Sequence, residues 1–323
     1  MSEVSKTGTA GNKLSVDVII PSYKPDEKFQ KILERLGKQT VRPGHIFVIN
    51  TEEQYFKEEK YPKLDNLTVI HISKKEFDHG GTRNYGASLS TADIILFMTQ
   101  DAIPADKALI EEIRKPFESE EIGAVYGRQL AYQNSSEIEK YTRKFNYPEQ
   151  DSVKSAADLE RLGIKTYFCS NVCAAYRREV YEELGGFVLK TIFNEDMIMA
   201  SQIINGGYKI AYASNARVYH SHKYTYWQQF TRNFDLGVSQ KQYKEIFGQV
   251  KSESEGMQLV KNTMNHLIQT KKAYLIPDLI IQSGFKYLGY KAGNNYEKIP
   301  HDMLLKFSMN PSYWERGESH ESY

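Results

Sequence analysis

Cysteine is nearly missing from this chain of 323 residues, which has only Cys169 and Cys173. Two thiols cannot build a disulfide framework, and a zinc ribbon would need a second pair, so both are expected to pack as small apolar groups. Such sparse use suits a reducing, intracellular compartment. Charge excess is also lacking: 42 Lys and Arg face 41 Asp and Glu, a net charge of +1. That balance supplies no basic face for nucleic acid, which is not an expected partner. No run approaches the ~18 apolar residues of a membrane-spanning helix. Residues 1–13 are polar and lack the apolar centre of a signal peptide. The chain is therefore not expected to cross a bilayer, although it can lie on one. What it does have is tyrosine, 23 residues against 15 Phe and 2 Trp. An apolar ring with a polar tip suits sugar-facing clefts, and equally suits half-buried surface.

Residues 1–13 read as a disordered tail. Short apolar runs at Val16–Ile20, Ile46–Ile49, Val69–Ile72 and Ile94–Met98 predict strands. Between them, Phe29, Ile32, Leu33 and Leu36 have helical spacing, and a helix is expected at Thr82–Leu89 after a turn at Gly80-Gly81. Strands alternating with helices predict an α/β fold with a doubly wound, mostly parallel sheet. Ligands of such sheets sit beyond the C-terminal strand ends, where Ser22, Asn50 and Thr99–Asp101 fall. Residues 105–215 read as mixed α/β. Strands are expected at Gly123–Gly127, Tyr167–Tyr176, Tyr208–Tyr212 and Arg217–His220, and helices at Glu179–Leu184 and Glu195–Ile204. Beyond Tyr224 the pattern is helical.

Four segments could carry chemistry, and each also has a plain reading. Thr99-Gln100-Asp101 places a carboxylate at a strand end, where it can hold Mg²⁺ or Mn²⁺ against a diphosphate, or merely cap a turn. Phe77-Asp78-His79-Gly80-Gly81-Thr82-Arg83-Asn84 offers backbone N–H groups and a fixed cation to an anion, or is only a turn. Asn194-Glu195-Asp196 opens a helix, where acids favour the dipole, or where one can serve as general base. In His220-Ser221-His222 the two imidazoles share one face of an extended chain, so one can complete a metal shell or simply pack.

Taken in order, these segments resemble glycosyltransferase family 2 of the GT-A fold, and within it the bacterial rhamnosyltransferases. The resemblance is carried by Asp17-Val18-Ile19-Ile20-Pro21-Ser22-Tyr23, Phe77 to Asn84, Phe97-Met98-Thr99-Gln100-Asp101-Ala102 and Ser170 to Arg178. It continues through Leu184-Gly185-Gly186-Phe187, Asn194-Glu195-Asp196 and Val218 to His222. It spans residues 16–225. The rhamnose assignment rests mainly on Phe-Asp-His-Gly-Gly-Thr-Arg-Asn and Thr-Gln-Asp-Ala.

The resemblance implies a GT-A catalytic domain over 14–225, with a nucleotide-binding part at 14–104 and an acceptor part at 105–225. A helical C-terminal region follows at 226–323. It implies that Pro21, Ser22, Tyr23, Asn50, Thr51, His79, Gly80, Arg83, Asn84, Gln100 and Asp101 bind the donor. Asp101 matches the last acid of the family's Asp-x-Asp motif, while Thr99 replaces the first, which leaves His220 or His222 to supply a further ligand to Mn²⁺ or Mg²⁺. Asp196 matches the catalytic base. Asn171, Arg177, Gly186, Phe187 and Glu195 would line the sugar and acceptor side. The implied reaction moves L-rhamnose, with inversion, from dTDP-β-L-rhamnose to a saccharide, itself expected to be polyprenyl-diphosphate-linked, at the cytoplasmic face of the membrane. Another UDP- or dTDP-hexose donor, or a non-catalytic nucleotide-sugar-binding subunit, stands as the alternative. Residues 257–291 carry Lys261, Lys271, Lys272, Lys286 and Lys291 among apolar residues and only Asp278 as an acid. That composition suits a peripheral contact with anionic lipid, and equally suits packing on the catalytic domain or a homodimer interface.

Overall fold

Alternation along β1 (Val16–Tyr23) sends Val16, Val18 and Ile20 to one face of a sheet and Ile19 to the other. The same division continues along the neighbouring strands and gives the molecule two cores. The computed structural model describes residues 14–248 and 253–315, so the expected N-terminal tail and the extreme C-terminus lie outside it. Its remaining strands are β2 (Ile46–Thr51), β3 (Leu67–Ile72), β4 (Ile94–Met98), β5 (Ile103–Pro104), β6 (Ile122–Leu130), β7 (Ser152–Lys154), β8 (Cys173–Arg177) and β9 (Lys209–Tyr219). They join in the order β3-β2-β1-β4-β8-β6-β9-β5, with β7 pairing β9. β1 to β4, β6 and β9 run one way, and β5, β7 and β8 run against them. The sheet is mostly parallel, as expected.

On one face the helices Glu27–Leu36 and Leu109–Arg114 bury Phe29, Ile32, Leu33, Leu36, Leu109, Ile110 and Ile113 against Val18, Ile20, Val48 and Leu96. On the other, Val180, Met199, Ala200, Ile203 and Ile204 from the helices Arg178–Glu183 and Glu195–Asn205 meet Phe97, Tyr126, Ala174 and Tyr176. Helices on both faces make the sheet doubly wound. Both cysteines lie in these cores, and burial pushes each thiol up to about 12, as packing residues.

Three expected elements differ. Tyr167–Tyr176 is not one strand: a 3₁₀ turn covers Gly163–Tyr167 and pairing begins only at Cys173. The two strands expected at 208–220 are one strand, β9, whose pairing with β6 slips between Gly127 and Arg128, which face Ala213 and Arg217. The extra residues form a bulge, which sequence periodicity reads as a break. Gly80-Gly81 is no turn before a helix but the helix's first turn, His79–Ser88, because Asp78 caps it by accepting from Gly81 N at 2.8 Å.

Beyond the sheet, the helix Tyr226–Gln242 crosses the helix Ile276–Gly293, and the helix Glu253–Gln269 packs through Leu267 against Ile138 and Leu279. No helix among the described residues is long and apolar enough to cross a membrane.

Candidate active site

The C-terminal ends of β1, β2 and β4 open on one side of the sheet, as parallel strands with helical crossovers require. At the end of β2, Asn50 is fully buried; its amide oxygen accepts from the Ser22 hydroxyl at 3.1 Å, and its amide nitrogen donates to the Glu52 carbonyl. Nearby, the buried Thr51 Oγ1 and Thr99 Oγ1 have no hydrogen-bond partner among the described residues. Tyr23 lies exposed beyond them, edge-on to Tyr55.

From the end of β4, Asp101 meets the two histidines that follow β9. His220 Nε2 lies 3.5 Å from Asp101 Oδ1, His222 Nε2 lies 3.4 Å from Oδ2, and the two Nε2 atoms are 2.9 Å apart. All three ligand atoms fit within 4.8 Å, a group able to hold a metal ion. Burial, then the neighbouring His222, holds His220 well below the usual imidazole value; burial also lowers His222, against the pull of Asp101. Neutral imidazoles keep the lone pairs that a cation needs.

Thr99 N donates to Val172 O at 3.3 Å, and the next residue, Asn171, donates its backbone N–H to Asp196 Oδ2 at 3.2 Å. Two hydrogen bonds, through Asn171 and Val172, thus link the Asp196 carboxylate to Thr99, two residues before Asp101. Asn194 turns the chain into the helix Glu195–Asn205 with a left-handed φ of 67°, uncommon for a residue other than glycine. Its two acids then diverge. Burial would raise Glu195, but Arg83, with its guanidinium 3.2 Å away, and His79 hold its carboxyl below the usual range. Burial, followed by the charge of Glu195, lifts Asp196 to about 7. Adjacent acids pushed apart in this way can serve different tasks: Glu195 is a buried counter-ion to Arg83, and a carboxyl in the position of Asp196 exchanges its proton near neutral pH.

The profile of glycosyl transferase family 2 matches residues 17–185. The O-antigen chain rhamnosyltransferase RfbN of Salmonella typhimurium is 40% identical over 93% of this chain and 96% of its own length. The chain belongs to glycosyltransferase family 2. A second relative, the O-antigen chain rhamnosyltransferase WbaN of Salmonella anatum, is 38% identical over the same shares. The GT-A fold is shared with the mannosyltransferase PcManGT from Pyrobaculum calidifontis, solved with GDP-Man and Mn²⁺ (TM-score 0.55, 14% identity, 97% of this chain and 89% of that one). It is also shared with S. aureus TarS 1–349, solved with UDP-GlcNAc (TM-score 0.50, 13% identity, 88% and 92%).

In this glycosyltransferase several residues expected to touch substrate are occupied elsewhere. Arg177 pairs with Ile94, at the opposite end of β4 from Asp101, and donates to the carbonyls of Phe117, Ser119 and Ile122. It is a brace, because β8 runs antiparallel and carries it away from the cleft. Phe187 is buried among Phe97, Tyr176 and Tyr181. Asn84 spends its amide on the Gly185-Gly186-Phe187 turn, donating to Phe187 O and accepting from Phe187 N and the Tyr181 hydroxyl. Gly186, with φ of 72°, is buried beneath that amide. Gly80 is buried where any Cβ would overlap the Val188 carbonyl, so it serves close packing rather than an anion. Gln100 is clamped to Tyr23, accepting from its N–H at 2.8 Å and donating to its carbonyl at 3.0 Å. Asn171 accepts from the Tyr176 hydroxyl and donates to Glu195, a bridge between carboxylates rather than a cleft wall. Gln129 and Arg143 back His220, and Ser239 holds the corner at Asn194, although nothing in the sequence singles them out. These are ordinary polar residues in unremarkable runs, and only the fold brings them to the site.

Proposed function

We propose that this enzyme transfers L-rhamnose, with inversion, from dTDP-β-L-rhamnose to a hydroxyl of a lipid-linked saccharide in O-antigen synthesis. The sugar and the pathway rest on the two Salmonella relatives, which match nearly the whole chain. The observation that carries the chemistry is the meeting of Asp101, His220 and His222, with Asp196 joined to the segment before β8 through the Asn171 N–H.

Asp101, His220 and His222 would hold a divalent cation, which when bound supplies positive charge for the departing diphosphate. Two imidazoles and one carboxylate fit Mn²⁺ better than Mg²⁺, which prefers an all-oxygen shell. Pro21 and Tyr23 line the nucleoside side, with Ser22, Asn50 and Thr51 buried behind them. Asp196 takes the proton of the acceptor hydroxyl as its oxygen bonds the anomeric carbon. The anomeric carbon–phosphate oxygen bond breaks on the opposite face, the electron pair leaves with the nucleoside diphosphate, and the configuration inverts to an α-rhamnoside.

The exposed stripe Ile280, Ile281, Gly284, Tyr287 and Leu288 repeats at helical spacing along the helix Ile276–Gly293. Lys271 and Lys291 flank it. We assign this face to contact with an anionic membrane surface, which would keep the enzyme beside a lipid-linked acceptor. Mass spectrometry of products from a lipid-linked acceptor, given dTDP-rhamnose, dTDP-glucose and UDP-hexoses in parallel, tests the reading. A deoxyhexose increment from dTDP-rhamnose alone is expected, and transfer from another donor in its place would overturn it.

A further inference from the structure

We infer that Gln129 is a positioning residue that fixes which ring nitrogen of His220 carries the proton, and so aims the Nε2 lone pair at the cation site. The inference rests on the metal reading above. Gln129 sits near the end of β6 and is only 2% exposed. Its Oε1 accepts from Arg143 Nη1 and lies 3.0 Å from His220 Nδ1, while its Nε2 donates to Ser170 Oγ at 3.1 Å. Guanidinium groups only donate, so the amide oxygen must be the atom that faces Arg143. That oxygen can only accept, so the hydrogen on the neutral His220 ring must be on Nδ1. Nε2 is then bare, and it is the atom that faces Asp101 Oδ1 and His222 Nε2.

Arg143 cannot swing away freely, because its Nε donates to Glu139 at 2.8 Å one turn back on the same helix, Glu137–Asn146. A chain of fixed donors and acceptors therefore runs from Glu139 through Arg143 and Gln129 to His220. Outer partners of this kind orient a ligating histidine and set its tautomer. The other arm of Gln129 reaches Ser170, next to the Asn171 N–H that bonds Asp196. One buried amide thus ties the histidine side of the site to the carboxylate side.

Two measurements on the full chain test this. The first is long-range ¹H–¹⁵N NMR of the metal-free protein, which reads the His220 tautomer directly. Protonated Nδ1 is expected, and protonated Nε2 in the wild type would overturn the inference without any variant. The second is Mn²⁺ binding followed by electron paramagnetic resonance of the free ion. Gln129→Leu is expected to weaken binding by about 10- to 100-fold. Gln129→Glu keeps the acceptor and is expected to keep the wild-type affinity. Equal Mn²⁺ affinity in the wild type and a folded Gln129→Leu overturns the inference while leaving the metal reading intact. A wild type that binds no Mn²⁺ overturns the metal reading, and the inference's link to a cation with it, whatever tautomer the NMR shows.

Discussion

Glu195→Gln removes one negative charge beside Asp196 while leaving an oxygen for Arg83 to donate to. Asp196 acts as a base only when ionised, so wild-type kcat/KM should fall as pH drops through about 7. Burial is the first cause of that elevation above the ordinary 3.8 and the Glu195 charge the second. Removing the lesser cause should move the acid limb down by about one pH unit, worth about 1.4 kcal/mol between the two carboxyls. The sign is fixed: losing a like charge favours the carboxylate, so the variant stays active at lower pH. Initial rates of nucleoside diphosphate release from about pH 5 to about pH 9 supply the profile, and a thermal melt checks that the Arg83 contact survives. An acid limb that stays in place or climbs would refute the assignment of Asp196 as base. In parallel, Asp196→Asn should lose about 10²- to 10⁴-fold in kcat while still binding donor.

Asn84→Ala removes three hydrogen bonds from the Gly185-Gly186-Phe187 turn. It should cost about 2–4 kcal/mol in denaturant unfolding and leave the donor KM of the folded fraction unchanged; a changed KM with intact stability would return Asn84 to the nucleotide. Gly289→Ala places a methyl group against the Phe230 carbonyl, where the helices Tyr226–Gln242 and Ile276–Gly293 touch backbone to backbone. A loss of about 1–3 kcal/mol is expected from the forced separation, read as a lower melting temperature. Replacing Ile280, Ile281 and Leu288 together by serine should abolish flotation with anionic liposomes without altering turnover of a water-soluble acceptor, and unchanged flotation would remove the lipid assignment.

The strands β1 to β4 and both faces of the sheet are legible because each announces itself locally. Apolar alternation marks β1 and β4, and an acid just past a buried strand marks Asp101. Residues whose role depends on register were not legible. Arg177 looks like a cleft residue until the antiparallel course of β8 carries it to the far end of the sheet. Asn84 and Phe187 sit in two separate Gly-rich segments, and only the fold makes them partners across 103 positions of sequence. The reach of His220 toward Asp101 follows a bulge in β9 that periodicity reads only as a break between two strands. Gln129 carries no chemical signature of its own, since an amide inside a strand acquires meaning only from what the fold puts beside it.

The left-handed corner at Asn194 is held from outside the sheet. Ser239, on the helix Tyr226–Gln242, donates its hydroxyl to Phe193 O at 2.7 Å and lies 3.2 Å from Asn194 Nδ2. The helix Tyr226–Gln242, which packs backbone to backbone on the helix that carries the apolar stripe, therefore buttresses the peptide from which Glu195 and Asp196 project. A change at Ser239 would therefore disturb, from a helix outside the sheet, the backbone corner that sets the direction of both carboxylates.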